Sequence, residues 1–296
     1  MRIALAGLAT SHPYTDARAL RDHADLVVWE PDPQRLARFR AEQPEVAVVP
    51  DLAALLATRP DGVVLTVPTP EVPDALAQVL ARGLPCFVNK PAAATLGQLE
   101  RLERVVQRAP ELVLTSSVLR FAPDFVAFDV PRDEVLSVRA TVRHDVGLWA
   151  TGYNPWQDDP AVGGGTLVMM GLHGVELLVA LLGPAVRLVG AAGAVRRHRG
   201  LRSEDTGLLA LQWDDGVLGA VEVLGVSEGE AYEVTVHTGG GEQRVVLRGG
   251  PDQLGYRATI DAFLGMVRGG PSPVPWAQTR AVLGLLAAAR ATAGSR

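Results

Sequence analysis

The first 120 residues alternate short apolar runs with amphipathic stretches. Residues 2–6 read as a strand, and Gly7 opens a turn. A helix is predicted over 13–21, with Ser11 or His12 as its cap and Pro13 tolerated in its first turn. A second strand covers 26–29, and Asp32-Pro33 then starts a helix as a polar cap followed by proline. Further strands are predicted at 46–49, 62–66, 86–88 and 112–114, with helices at 51–57, 72–82 and 96–108 between them. Strands that are apolar throughout and alternate with helices are buried on both faces. This half is therefore expected to be an α/β unit with a doubly wound parallel sheet.

Past residues 120–123 the period changes. Segments 135–142, 186–192, 208–213, 217–223, 233–237 and 244–247 alternate apolar and polar positions, and Asp215-Gly216 and Gly239-Gly240-Gly241 are hairpin-turn signals. Helices are predicted at 166–182, 256–267 and 276–292, the first stopped by Gly183-Pro184. This half is expected to be α+β, an antiparallel sheet with helices on one face. The change of period divides the chain into units 1–121 and 122–296.

Composition narrows the functional classes. Hydrophobic residues make up 48% of the 296 positions and charged residues 21%, which excludes a disordered chain. The net charge of −5 is not clustered, so neither nucleic acid nor a membrane surface is an expected partner. No stretch approaches the ~20 apolar residues of a membrane span. Arg2 followed by apolar residues 3–9 has the outline of a secretory signal, but the residues after Ala9 read as folded structure, so a cytoplasmic location is expected. The one cysteine, Cys86, lies in an apolar run and is expected to be a packing residue. It rules out a disulfide framework and a thiolate metal site. No metal is expected. His144, His173 and Asp158 could be imagined as ligands, but no ligand spacing supports them.

The basic residues are 27 arginines and a single lysine, Lys90. Arginine replaces lysine easily on solvated surfaces. A lysine that survives alone marks a place where a compact charge with a tunable pKa is needed.

A strand, a glycine turn and a helix at the N-terminus form the place where a dinucleotide fold binds pyrophosphate. In the G-x-G-x-x-G pattern the chain reads Gly7-Leu8-Ala9-Thr10-Ser11-His12. Ala9 and His12 stand where the second and third glycines belong. Glu30 ends the second strand, where a carboxylate accepts from ribose hydroxyls and repels a 2′-phosphate. That favours NAD over NADP. Arg35 is near enough in sequence to reverse the preference by pairing with the phosphate.

Three further segments carry a family resemblance. Val88-Asn89-Lys90-Pro91 follows the fifth strand, and Arg120-Phe121-Ala122-Pro123 the sixth. Gly163-Gly164-Gly165 opens a helix that runs through Met169, Gly171 and His173 to Gly183. In order and spacing they resemble the Gfo/Idh/MocA oxidoreductases, which include glucose–fructose oxidoreductase and inositol dehydrogenase. The resemblance covers nearly the whole chain. It implies an N-terminal Rossmann domain, a C-terminal open-faced and mostly antiparallel sheet, and a nicotinamide cofactor, NAD or NADP, at their interface. The implied cofactor contacts are Gly7, Ala9, Thr10, Ser11, His12, Glu30, Thr66, Pro68, Lys90 and Pro91. The implied catalytic residues are Lys90 and His173. Asn89 replaces the family's glutamate beside the lysine, and Met169 stands where its third catalytic residue, an aspartate, belongs.

Oxidation of an alcohol with NAD needs a base for the hydroxyl proton and a hydride path to the nicotinamide. His173 is the expected base, and Lys90 polarises the substrate oxygen. Residues 169 and 173 are expected on one helix face, where Met169 packs instead of supporting a protonated histidine. Glu176 either orients the His173 ring or belongs to an exposed face. Lys90, His173, Asn154 and Trp156 are the expected substrate contacts. The last two lie in a turn-rich loop with Tyr153 that could stack on a sugar ring. Arg143, His144 and Asp145 read equally as site residues and as sheet-edge polarity. The expected partner is a small molecule, with a homodimer or homotetramer formed through an exposed apolar face of the C-terminal sheet. These residues are compatible with three functions. One is an NAD(P)-dependent oxidoreductase of a sugar, polyol or related hydroxylated molecule. The second is a reductase of another carbonyl or imine. The third is a binding or regulatory protein without turnover.

Overall fold

The apolar runs of the first half pair as parallel strands. In this computed structural model, which describes residues 1–293, β1 (Arg2–Ala6) lies at the centre. β2 (Asp25–Trp29) and β3 (Ala47–Val48) lie on one side, and β4 (Gly62–Leu65), β5 (Cys86–Val88) and β6 (Val113–Leu114) on the other. Every pairing is parallel. The connecting helices are α1 (His12–Leu20), α2 (Pro33–Glu42), α3 (Leu52–Ala57), α4 (Val72–Leu80) and α5 (Leu96–Val106). Alternate strand residues point to opposite faces. Ile3, Leu5 and Phe87 meet α1 and α2, while Ala4, Val63 and Val113 meet α3, α4 and α5. The strand order reverses between β1 and β4, which opens a crevice at their carboxyl ends.

The second half starts with a short helix, α6 (Pro123–Val126), and a long strand, β7 (Val135–Asp145). α7 (Gly165–Met169) and α8 (Gly171–Leu182) precede β8 (Val186–Ala194), β9 (Thr206–Trp213), β10 (Leu218–Leu224), β11 (Val226–Thr238) and β12 (Gly241–Leu247). The sheet order is β12-β11-β7-β10-β9-β8, with β7 and β10 parallel and the other pairs antiparallel. β11 bulges. Three more residues on β11 than on β7 separate the pairs Val226–Asp145 and Ala231–Arg143. The polar run Ser227-Glu228-Gly229-Glu230 occupies that bulge.

Several expectations change. The single helix predicted over 166–182 is interrupted at Met170, so Met169 and His173 are not on one continuous face. Gly165–Leu182 is long and apolar enough to cross a membrane by length and composition, contrary to the sequence reading. It is instead largely buried, with α8 lying on β7, β10 and β11. The open face of the second sheet is apolar only toward β8–β10, at Val189, Leu208 and Leu218. Toward β7, β11 and β12 it carries Arg139, Arg143, Glu233 and Arg244, so the expected apolar face is mixed in character.

The units divided at residue 121 share their cores. α9 (Tyr256–Val267) belongs by sequence to the second unit, yet Ile260, Phe263, Leu264 and Met266 join Ile3, Leu5 and Phe87 in one core. The chain therefore returns to cover the first sheet. α10 (Trp276–Ala293) packs on α5, α7, α8 and β8 and spans both units. Residues 294–296 of the second predicted unit lie outside the described residues.

Candidate active site

The loop after β1 is shaped by its first glycine. Gly7 has φ +86°, and a Cβ there would stand 2.5 Å from the Thr66 carbonyl oxygen, so only glycine lets the loop cross β4. The Ala9 amide then donates to that carbonyl at 3.0 Å. Leu8 N–H goes to Glu30 at 2.5 Å, and His12 N–H to Thr10 Oγ1 at 3.2 Å. The Thr10 and Ser11 amides have no partner among the described residues. Ser11, the N-cap of α1, makes no capping bond with its side chain. An uncapped helix N-terminus with two spare amides and two hydroxyls has the donor set that a pyrophosphate needs. The residues present fit that part of a dinucleotide.

His12 takes the third glycine's place because its ring turns to α9, 5.3 Å from the Tyr256 ring. Burial, with the charge of Lys90 and the nearby His144, pushes its pKa down to about 3. It is a neutral wall of the crevice. Glu30 behaves differently from expectation. Its side chain is 1% exposed, and its oxygens accept from the amides of Leu8 and Asp32 (2.7 Å) and from Arg35 Nη2 (2.9 Å). The carboxylate fixes the glycine loop from within and is not displayed to a ribose. Thr66 is likewise used internally. Its carbonyl holds Ala9 and its hydroxyl accepts from Asn89 Nδ2 at 2.8 Å. Pro68 is half-buried where the chain leaves β4, before a 3₁₀ turn at Thr69–Glu71.

Lys90 follows β5 and precedes Pro91 through a cis peptide bond. It is 7% exposed, and its ammonium donates to the Met169 carbonyl at 3.1 Å. Burial pushes its pKa down to about 8, while Glu230 acts to raise it. His173, on α8, is 3% exposed, and its Nδ1 lies 2.7 Å from Ser117 Oγ. Burial first, then the charge of Lys90, holds its pKa well below 6.5, so the imidazole is neutral at pH 7.

Lys90 and His173 come from different units and line one cleft of about 340 Å³. Thr10, Ser11 and His12 bring the glycine loop to the same cleft. The cleft also receives residues that sequence reasoning did not assign: Glu230 and Tyr232 from β11, Tyr256 from α9, Gln157, and Arg38. Their signal was weak, because each sits in an ordinary strand, helix or loop far along the chain from Lys90. His144 and Asp145 line the cleft as well, whereas Arg143 is exposed outside it.

The two other substrate candidates lie elsewhere. Asn154 lines an adjoining groove of about 410 Å³ with Tyr14, Asp32 and Arg35, which shares Thr10, Arg38 and Tyr153 with the cleft. Trp156 donates its indole N–H to the Ala9 carbonyl at 2.9 Å and covers the glycine loop. Both sit on the nucleotide side because their loop folds over the carboxyl edge of the first sheet. Glu176 does not reach His173. It is buried against Arg120 at 2.8 Å, and Ser117 orients the ring instead. The Met169 side chain is buried, and Met170 is the one that lines the cleft. Among the described residues, no group of three His, Cys, Asp or Glu side chains is arranged to hold a metal ion.

Residues 1–117 match an oxidoreductase family described by its NAD-binding Rossmann fold, and residues 133–244 match the GFO/IDH/MocA C-terminal domain. Among solved structures, the chain is similar to GenD2 from gentamicin A biosynthesis in complex with NAD. The identity is 21%, the TM-score 0.85, and the match covers 100% of this chain and 94% of that one. It is similar to a myo-inositol dehydrogenase from Corynebacterium glutamicum, with 18% identity, TM-score 0.81 and coverage of 100% and 97%. A third similar structure is an oxidoreductase from Agrobacterium radiobacter in complex with NAD+, L-tartaric acid and magnesium. It has 16% identity, TM-score 0.78 and coverage of 100% and 96%. At these identities the likeness is one of fold. No curated protein sequence matches the chain.

Proposed function

The chain belongs to the Gfo/Idh/MocA oxidoreductase family, and from that premise we propose that it moves a hydride between a nicotinamide cofactor and a carbon of a sugar, cyclitol or related polyol. The observation that carries this reading is the meeting of Lys90 and His173 in one cleft that adjoins the uncapped start of α1. The polar lining, with Tyr232 and Tyr256 as flat walls, suits a hydroxylated ring. The similar fold of an inositol dehydrogenase supports the same class.

When bound, the nicotinamide supplies or accepts the hydride. The Thr10 and Ser11 amides bind the pyrophosphate. Lys90 holds and polarises the substrate oxygen. His173 moves the hydroxyl proton. To accept it at Nε2, the ring carries its own proton on Nδ1 and donates it to Ser117 Oγ. Lys90 is charged below about pH 8, which assists reduction of a carbonyl. Above that pH its neutral amine assists oxidation. NAD is the better fit, because Arg35, the candidate for a 2′-phosphate, is already held by Glu30 at 2.9 Å and lies 3.8 Å from Asp32.

Titration with NADH and NADPH, followed by fluorescence, tests the reading. NADH is expected to bind more tightly, and no binding of either up to millimolar concentration would overturn it. Lys90→Met is expected to lower turnover by about 10³-fold. A variant that kept its rate would remove Lys90 from the chemistry.

A further inference from the structure

Lys90 is buried, and among the described residues its ammonium has one hydrogen-bond partner, an uncharged carbonyl. A cation in such a place needs a negative charge nearby. The groups whose charge it feels or acts on are His12 from α1, His144 from β7, His173 from α8 and Glu230 from β11. Only Glu230 is an acid. Arg38 adds positive charge to the lining. The cleft's other carboxylate, Asp145, is turned to His198 at 2.9 Å and to the Gly147 amide at 2.8 Å.

Glu230 reaches the cleft at the end of the bulge in β11. Residues 230 and 232 are i and i+2, so Glu230 shares the strand face of Tyr232, and the ladder to β7 slips out of register just before it, which leaves its side chain 43% exposed at the mouth of the cleft. Tyr232 then ties the carboxylate down by donating its hydroxyl to Oε1 at 2.7 Å. The Tyr232 ring lies 5.1 Å from the His173 ring, and His144 Nδ1 stands 3.9 Å from the same Glu230 oxygen. The carboxylate is thus connected by contact to the wall that carries His173.

We propose that Glu230 is the positioning carboxylate of this cleft: set two residues before Tyr232 on one strand face and tethered by it, it balances the charge of Lys90 across the cleft. The inference rests on the reading of Lys90 as the cation of the site. Glu230 acts through Lys90 and makes no bond to the reacting atoms.

Lys90 is the only lysine in the chain, which makes the test direct. Protein labelled with 13C-lysine gives one side-chain Cε signal, whose shift follows the charge on Nζ. The wild-type midpoint is expected near 8. In Glu230→Gln it is expected to fall by about one pH unit, because an opposite charge lining the same cleft favours the charged form. Glu230→Asp is expected to restore part of the fall, and the pH limb of turnover that belongs to Lys90 should move with the midpoint. Tyr232→Phe loosens the tether and is expected to give a smaller fall. It serves as the deciding variant if Glu230→Gln does not fold. An unmoved midpoint in the folded variant would overturn the role of Glu230, even in an active enzyme. NADH binding to the wild type is measured alongside. Its absence would sink the oxidoreductase reading and leave the charge coupling standing on its own titration.

Discussion

Asn89 donates its amide to two buried oxygens, Asp16 Oδ2 at 3.0 Å and Thr66 Oγ1 at 2.8 Å. A glutamate there would set a second carboxylate against Asp16. Two buried like charges repel, so the amide is the residue compatible with an acid on α1. Burial pushes Asp16 up to about 7, against the lowering effect of the Asn89 hydrogen bond, whereas in the unfolded chain it titrates near 3.8. Between those values the folded state holds a proton that the unfolded chain has lost. Stability therefore falls as pH rises through that window, by at most about 4 kcal/mol. Asp16→Asn should flatten this slope in urea melts between pH 4.5 and 7.5, and a slope as steep as in the wild type would clear Asp16 as its source. Lys90 was legible at this scale because composition and motif both singled it out. Glu230, Tyr232 and Tyr256 were not, because a strand glutamate or a helix tyrosine looks the same whether it meets solvent, core or cleft.

At the scale of elements, α8 lies close on its sheet because Gly174 presents no side chain to β10. A Cβ there would stand 2.5 Å from Val221 Cγ1 and 3.2 Å from Val142 Cγ2. Both neighbours are β-branched and stiff, so little relief is available. Gly174→Ala is expected to cost about 1–3 kcal/mol by overpacking. A urea midpoint equal to wild type would mean that α8 slides to make room. The strands and most helices were readable from hydrophobic period, since burial on both faces demands continuous apolar residues. The break at Met170 was not. Thr166 to Leu182 is apolar almost without interruption, and an all-round apolar pattern carries no phase from which a kink can be read. The β11 bulge was hidden for the opposite reason. Its polar run looks like a loop until β7 pairs on either side of it.

At the scale of the molecule, the first unit is not complete in itself. Phe263 from α9 is fully buried, its ring centroid 6.2 Å from that of Phe87. Phe263→Ala is expected to destabilise the protein by about 3–5 kcal/mol, read by thermal melting. Unchanged melting would show that α9 only rests on the first sheet. The same long-range return brings Tyr256 to the cleft beside His12.

The sequence by itself determined the two sheet types and the glycine loop and offered Lys90 and His173 as candidates, because hydrophobic period and local motifs depend on neighbours along the chain. Only the tertiary structure decided which carboxylates line the cleft of Lys90, which hydroxyl orients His173, and which helix closes the first sheet. Those contacts join residues as far apart as Lys90 and Met169 or Ser117 and His173. Side chains so distant in sequence meet only where packing brings their backbones together, and no local pattern records that meeting.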